Sequence, residues 1–177
     1  MGNRITRVYT RTGDDGATGM ADGSRVAKNS PLMAAIGDID ELNAVLGMLR
    51  SANQDRDIDA QLHVIQNELF SFGGELSMPE FQKLGKEQVR RIEAELDDLN
   101  ECLPPLKEFI LPAGSQQVAL CHQARVVCRR AERSVCSLNP LPREELLSYI
   151  NRLSDYLFVL ARTLASRQGI DEVYWQP

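Results

Sequence analysis

Cys121-His122-Gln123-Ala124-Arg125-Val126-Val127-Cys128-Arg129-Arg130-Ala131-Glu132-Arg133 is the stretch on which the fold reading turns. Extended at both ends, it places Val118, Cys121, Ala124, Cys128, Ala131, Val135 and Leu138 at alternating steps of three and four, one apolar stripe of a helix. Arg125, Arg129 and Arg133 follow one another at i, i+4, roughly 40° apart, along a ridge beside that stripe. Guanidiniums on adjacent turns repel one another, so an anion is expected opposite them. Carboxylates on a solvated face and a bound polyphosphate both satisfy that expectation.

The same period continues on either side. Leu32, Ala35, Ile39, Leu42, Leu46 and Leu49 predict a helix opening at Pro31, with Ser30 as its N-cap. Ile58, Leu62, Ile65, Leu69, Phe72 and Leu76 predict a second, ended by Met78-Pro79. A third runs from Lys86 through Val89, Ile92, Leu96, Leu99 and Leu103 to Pro104-Pro105. Ser115 caps the arginine helix, which stops before Asn139-Pro140. A fifth opens at Pro142 or Arg143 and carries Leu146, Ile150, Leu153, Leu157, Leu160 and Leu164, with Gly169 placed to end it. The fold class is therefore all-α: a five-helix up-and-down bundle with left-handed, coiled-coil-like packing. We read one domain over 1–177, with a glycine-rich loop region (1–30), the bundle (31–169) and a tail (170–177) in which Tyr174 and Trp175 fold back.

At 177 residues, 43% hydrophobic and 25% charged, the chain has the composition of an ordinary globular domain. Its net charge of −5 disfavours nucleic acid and anionic membranes as partners, so a dense arginine cluster points to a small anion. No apolar run approaches membrane-spanning length and residues 1–16 hold no signal-like segment, so a cytoplasmic protein is expected. The four cysteines form no CxxC pair and read as buried reduced thiols, Cys121 and Cys128 lying on the apolar stripe. His63 and His122 are the only histidines, and neither follows a glutamate by three residues, which removes the di-iron use of a bundle. Both read as structural or surface groups.

Residues 1–30 show no helical period. Arg7-Val8-Tyr9-Thr10 suits a short extended segment leading into Thr12-Gly13-Asp14-Asp15-Gly16-Ala17-Thr18-Gly19. Glycines this dense allow successive N–H groups to face one concavity, and Thr10, Thr12 and Thr18 add hydroxyls, a composition suited to phosphate or simply to a turn. The segment is not a Walker A loop. Phe109-Ile110-Leu111-Pro112-Ala113-Gly114 is an apolar connection, either tucked on the core or lining a pocket. Asn151 and Asp155, one turn apart on the fifth helix, either meet a ligand or satisfy neighbours. No general base is evident, so these groups suit a nucleophile that needs no deprotonation, with the protein stabilising a departing polyanion.

TRTGDDGAT (10–18), GDIDELNAVLG (37–47), FILPAG (109–114), CRRAER (128–133) and YINRLSDYLF (149–158), in this order and spacing, resemble the PduO-type ATP:cob(I)alamin adenosyltransferases, from Tyr9 to Trp175. The resemblance implies transfer of the 5′-deoxyadenosyl group of ATP to Co(I) of a reduced corrinoid, with release of triphosphate. It implies ATP held by Thr10, Arg11, Thr12, Gly13, Ala17, Thr18 and Lys28, with Mg²⁺ on the phosphates. Arg129, Arg130, Glu132, Arg133 and Asn151 would complete that site from a neighbouring subunit of a homotrimer, Asp40 pairing with Arg129 across the interface. Phe109 would pack beneath the corrin of cobalamin and keep the lower axial ligand off cobalt. A reductase or a cobalamin-dependent enzyme are the further partners implied. The chain departs from the family pattern at Ser134, where arginine is usual, at Leu32, where arginine is common, and at Ala113, where glycine is frequent. The alternative reading is a non-catalytic, ATP-responsive corrinoid-binding or regulatory module. A third is a purely structural bundle whose arginines meet surface carboxylates.

Overall fold

A computed structural model describes residues 9–176. Five helices account for most of them: α1 (Pro31–Ala52), α2 (Arg56–Ser77), α3 (Lys86–Glu101), α4 (Gln116–Cys136) and α5 (Glu144–Arg167). Three of them, α1, α2 and α4, begin at a side-chain cap. The Met33 N–H donates to Ser30 Oγ at 3.4 Å with Pro31 in the first turn, and the Val118 N–H donates to Ser115 Oγ at 3.3 Å. Asp55 caps α2 by accepting from the Asp57 and Ile58 amides. Gly169, at φ +65°, turns the chain out of α5, and the Ile170 N–H closes back onto the Ala165 carbonyl.

α4 packs against both α1 and α5, α2 lies beside α1, and α3 lies beside α5. Ser134 of α4 meets Asp38 near the start of α1, whereas Gln117 meets Asn53 just past its end, so α1 and α4 are antiparallel. Arg152 of α5 meets Glu93 of α3, and Arg162 further along α5 meets the carbonyl of Pro104 beyond α3, so those two helices are parallel. Successive helices therefore alternate up and down. The α2–α3 side is closed by polar groups: Arg91 and Tyr149 both donate to Glu68 Oε2, at 2.5 and 2.7 Å. Tyr156 donates to Gln61 at 3.0 Å. The rings of Phe72, Tyr149 and Tyr156 fill the interior between the helices.

The expected stripe of α4 is buried, with Leu138 partly so. Cys121 and Cys128 lie in it, their S–H groups donating to the Leu157 and Ile150 carbonyls, and burial pushes both thiol pKa values up. Cys102 and Cys136, expected to be buried as well, are exposed, because one caps α3 and the other closes α4 on its solvent side.

The glycine-rich region is more ordered than a bare loop. β1 (Ala17–Gly19) and β2 (Arg25–Ala27) form an antiparallel hairpin with Thr18 opposite Val26. Three-residue strands give too little alternation to be read from sequence. The extended segment expected at residues 7–10 lies partly outside the described residues, as does Pro177 of the tail. Third-helix periodicity was expected to reach Leu103, but α3 ends at Glu101 and Leu103 packs on the core from the following turn.

Candidate functional site

The arginine ridge of α4 divides between two neighbours. On the α1 side, Arg130 donates to Asp38 (3.3 Å) and Glu41, and Ser134 Oγ donates to the second Asp38 oxygen at 2.5 Å. On the other side, Arg125, Arg129 and Arg133 form no ion pair with any carboxylate among the described residues. The guanidinium of Arg125 lies 5.9 Å from the ring centroid of Phe158, and its Nε is buried without a partner. Burial, and then Arg129 beside it, lower the Arg125 pKa from the ordinary arginine value. Arg133 reaches only back along its helix, to the Arg129 carbonyl at 2.9 Å.

Arg125 and Arg129 border an open cavity of about 520 Å³ between α3, α4 and α5, whose wall also carries Asn100, Phe158 and the carboxylates of Glu93, Asp97 and Asp155. Asn151 points toward the ridge and donates to Glu132 at 2.8 Å. Asp155, expected beside it, is instead drawn to Arg152 at 3.1 Å. Asp97, Asn100 and Phe158 were missed in the sequence reading. Nothing in the sequence of α3 says which of its faces meets α4 across α5.

At the end of the bundle where α1 begins, Lys28 organises the glycine loop. Its ammonium donates to the Gly13 carbonyl at 2.7 Å and its amide to the Gly16 carbonyl at 2.9 Å. A side chain at position 13 would meet Lys28 Nζ at 3.0 Å and the Ala17 carbonyl at 3.1 Å, so glycine allows this approach without displacing either. Gly16 (φ +84°) and Arg11 (φ +61°) turn the chain, and the Thr10 and Thr12 hydroxyls lie 2.7 Å apart at the exposed rim. Asp15 braces the loop: it accepts from the Ala17 amide at 3.0 Å and from Arg25, and these bonds, the Ala17 amide first, hold its carboxyl below the usual range. Thr18 lies in β1, beside this turn.

At the opposite end, residues 109–114 are not tucked on the core. Phe109 is 77% exposed. The tail folds back to pair with this segment, Leu111 N–H donating to the Val173 carbonyl and Trp175 N–H to the Phe109 carbonyl, both at 2.7 Å. Phe109, Leu111, Val173, Tyr174 and Trp175 thus make an exposed apolar platform. Arg162, only 5% exposed, secures it by donating to Glu172 (2.6 Å) and to the Pro104 carbonyl (2.9 Å). Gly114, at φ +123°, admits the close approach of Val118 that starts α4.

His122 is buried beside this end of Arg125, its Nδ1 unpartnered. Burial first, then Arg125, lower its pKa. His63 is a surface group, its Nδ1 3.1 Å from Arg50. Asp40 is exposed on the outer face of α1, without an ion-pair or side-chain hydrogen-bond partner among the described residues.

The bundle thus carries a lysine-filled glycine loop at one end, an arginine ridge along one face and an exposed apolar platform at the other end. The family described as cobalamin adenosyltransferase matches residues 8–164, and this chain belongs to that family. A cobalamin adenosyltransferase of Cupriavidus metallidurans is 49% identical, the match covering 99% of this chain and 97% of the relative. The corrinoid adenosyltransferase of Bacillus subtilis is 41% identical over 96% of this chain and 92% of its own. Among solved structures, a variant of the PduO-type ATP:corrinoid adenosyltransferase from Lactobacillus reuteri, complexed with cobalamin and ATP, superposes with a TM-score of 0.91. It is 31% identical, with 96% of this chain and 97% of that chain covered.

Proposed function

We propose that this protein transfers the 5′-deoxyadenosyl group of ATP to Co(I) of a reduced corrinoid. Co(I) supplies the electron pair: a Co–C bond forms to C5′, the C5′–O bond breaks, and its pair leaves on triphosphate. No proton moves at the reacting atoms, in keeping with a site rich in cations and without an evident base. The observation that carries the reading, within this family, is the ridge of Arg125, Arg129 and Arg133, none of which forms an ion pair with a carboxylate among the described residues. Cations preorganised where negative charge accumulates on the leaving group lower the barrier.

In this reading Thr10, Arg11, Thr12, Gly13, Ala17, Thr18 and Lys28 hold ATP. The paired hydroxyls of Thr10 and Thr12 are oxygen donors suited to a Mg²⁺ carried on its phosphates. Arg129, Arg133, Glu132 and Asn151 complete the site. Arg130 belongs to the same expected set, and it would have to release Asp38 and Glu41 to reach nucleotide. Phe109 offers the corrin an apolar face that excludes a lower axial ligand, which eases reduction of cobalt.

The active form we infer is a homotrimer with sites between subunits. Two observations support it. The glycine loop precedes α1 and Phe109 lies beyond its far end, and 22 residues of helix separate them by roughly 33 Å, too far for one subunit to bring both to a single cobalt–carbon bond. Asp40 and Arg129, expected to pair across the interface, both lack an ion-pair partner among the described residues. A reductase supplying Co(I) and a cobalamin-dependent enzyme taking the product are the partners that suit such chemistry, and a cytoplasmic location is part of the same reading.

The test is anaerobic. Purified protein, MgATP and chemically reduced cob(I)alamin are followed by absorbance. Loss of the Co(I) band with adenosylcobalamin and triphosphate formed one for one is the expected result. Persistence of Co(I) while MgATP binds would leave a non-catalytic binding module instead.

A further inference from the structure

One guanidinium holds the stems of both segments that make the apolar platform. Arg162 of α5, almost fully buried, donates through Nε to Glu172 Oε1 at 2.6 Å and through Nη2 to the Pro104 carbonyl at 2.9 Å. Pro104 stands in the turn that leads to Phe109, and Glu172 immediately precedes Val173. Beyond these stems the pairing is slight: an antiparallel bridge between Ile110 and Tyr174, flanked by the bonds from the Leu111 amide to Val173 and from the Trp175 amide to Phe109. Two strands this short are marginal by themselves in water. Packing adds little, because the platform side chains are exposed and a cavity of about 290 Å³ lies behind the tail, lined by Leu103, Pro104, Arg162, Ile170, Glu172 and Tyr174. The tail is held at its root by Ile170, partly buried and bonded to the Ala165 carbonyl, and again at Glu172, next to the paired residues. The Arg162–Glu172 pair is largely out of water, so losing one partner leaves the other charge poorly compensated.

We propose that Arg162 is a positioning residue for cobalt reduction: by tying Pro104 to Glu172 it fixes the spacing of the two segments, and with it the place of the Phe109 ring. The step it serves moves one electron from a donor such as a reduced flavin to Co(II), giving Co(I) as the lower axial ligand leaves cobalt. Arg162 itself exchanges no proton and forms no bond to corrin or nucleotide. A lysine would not replace it, since an ammonium lacks the planar fork that serves two acceptors in fixed directions. The effect on reduction rests on the reading of Phe109 as the corrin's apolar neighbour, whereas the anchoring of the tail does not.

Full-length protein is compared with Glu172→Ala, which lies beyond α5 and leaves the helices intact, and with Arg162→Lys, which keeps the charge. Amide hydrogen exchange, read by mass spectrometry on the peptides carrying Leu111 and Trp175, should quicken at least about fivefold in both variants. Unchanged exchange in both would overturn the anchor. With MgATP, cob(II)alamin and a reduced flavin, adenosylcobalamin formation should slow about fivefold or more. The ATP KM, measured with chemically reduced cob(I)alamin, should move less than about twofold. Unslowed reduction, or an equal change in the ATP KM, would overturn the positioning role and leave a structural tie. Phe109→Ala is measured beside them. If it reduces cobalt at the wild-type rate, the corrin reading of Phe109 fails, and the anchor is then judged by exchange alone.

Discussion

Two sides of one helix, α4, treat their arginines in opposite ways. On the side facing α1, Arg130 and Ser134 are tied to Asp38 and Glu41, so charge there serves helix packing. On the side facing α5 and solvent, Arg125, Arg129 and Arg133 form no ion pair among the described residues, although the chain carries five more acids than bases. The nearest acids, Glu93 and Asp155 on the cavity wall, are engaged by Arg152 and not by the ridge, so the ridge's donors stay open to a ligand. The paired arginine serves helix packing, and in the proposed function the unpaired ones serve the ligand.

The strongest way to break that contrast is Arg133→Ala. Turnover should fall on the order of 10²–10³-fold, as when a donor to developing negative charge is removed, while circular dichroism and oligomer size stay unchanged. Wild-type turnover would take the ridge out of the mechanism. Phe109→Ala comes next. Being mostly exposed, the ring contributes little to folding, so Co(II) reduction should slow by about tenfold with the ATP KM nearly unaltered. Equal loss of both would make Phe109 a packing residue.

Asp40→Ala is expected to raise the ATP KM roughly fivefold, the worth of one exposed ion pair near 1 kcal/mol, and to weaken subunit association on a sizing column. An unchanged KM would remove Asp40 from the interface. Arg130→Ala sharpens the contrast from the other side: stability should drop by about 0.5–1 kcal/mol, the pair being part-exposed, measured by urea unfolding. The smallest effect is that of pH on His122. Its folded pKa lies below the ordinary 6.5, chiefly through burial. The unfolded chain therefore takes up the proton first, and stability should decline as pH falls below 6.5. His122→Gln should flatten that part of the unfolding profile, and an unaltered slope would assign it to other groups.

Much of this was legible early because helical period and capping are local. The helix starts at Pro31 and Gln116 follow from Ser30 and Ser115 bonding to amides three residues on, and the α4 stripe follows from spacing alone. The hairpin at 17–27 was not legible, since three-residue strands carry no readable alternation. Nor were Cys102 and Cys136, whose burial depended on where their helices ended, or the exposure of Phe109, which depends on a tail more than sixty residues later pairing with it.

The sequence by itself determined the five helices, their up-and-down order and the family, because side-chain period, caps and motif spacing act over a few residues. Only the tertiary structure decided which arginines are free. Arg129 and Arg130 are adjacent in the chain and alike in chemistry, yet a 100° step around the helix axis turns one toward the acids of α1 and the other toward an open cavity. That choice is made by which helices pack beside α4, a long-range outcome that no local pattern encodes.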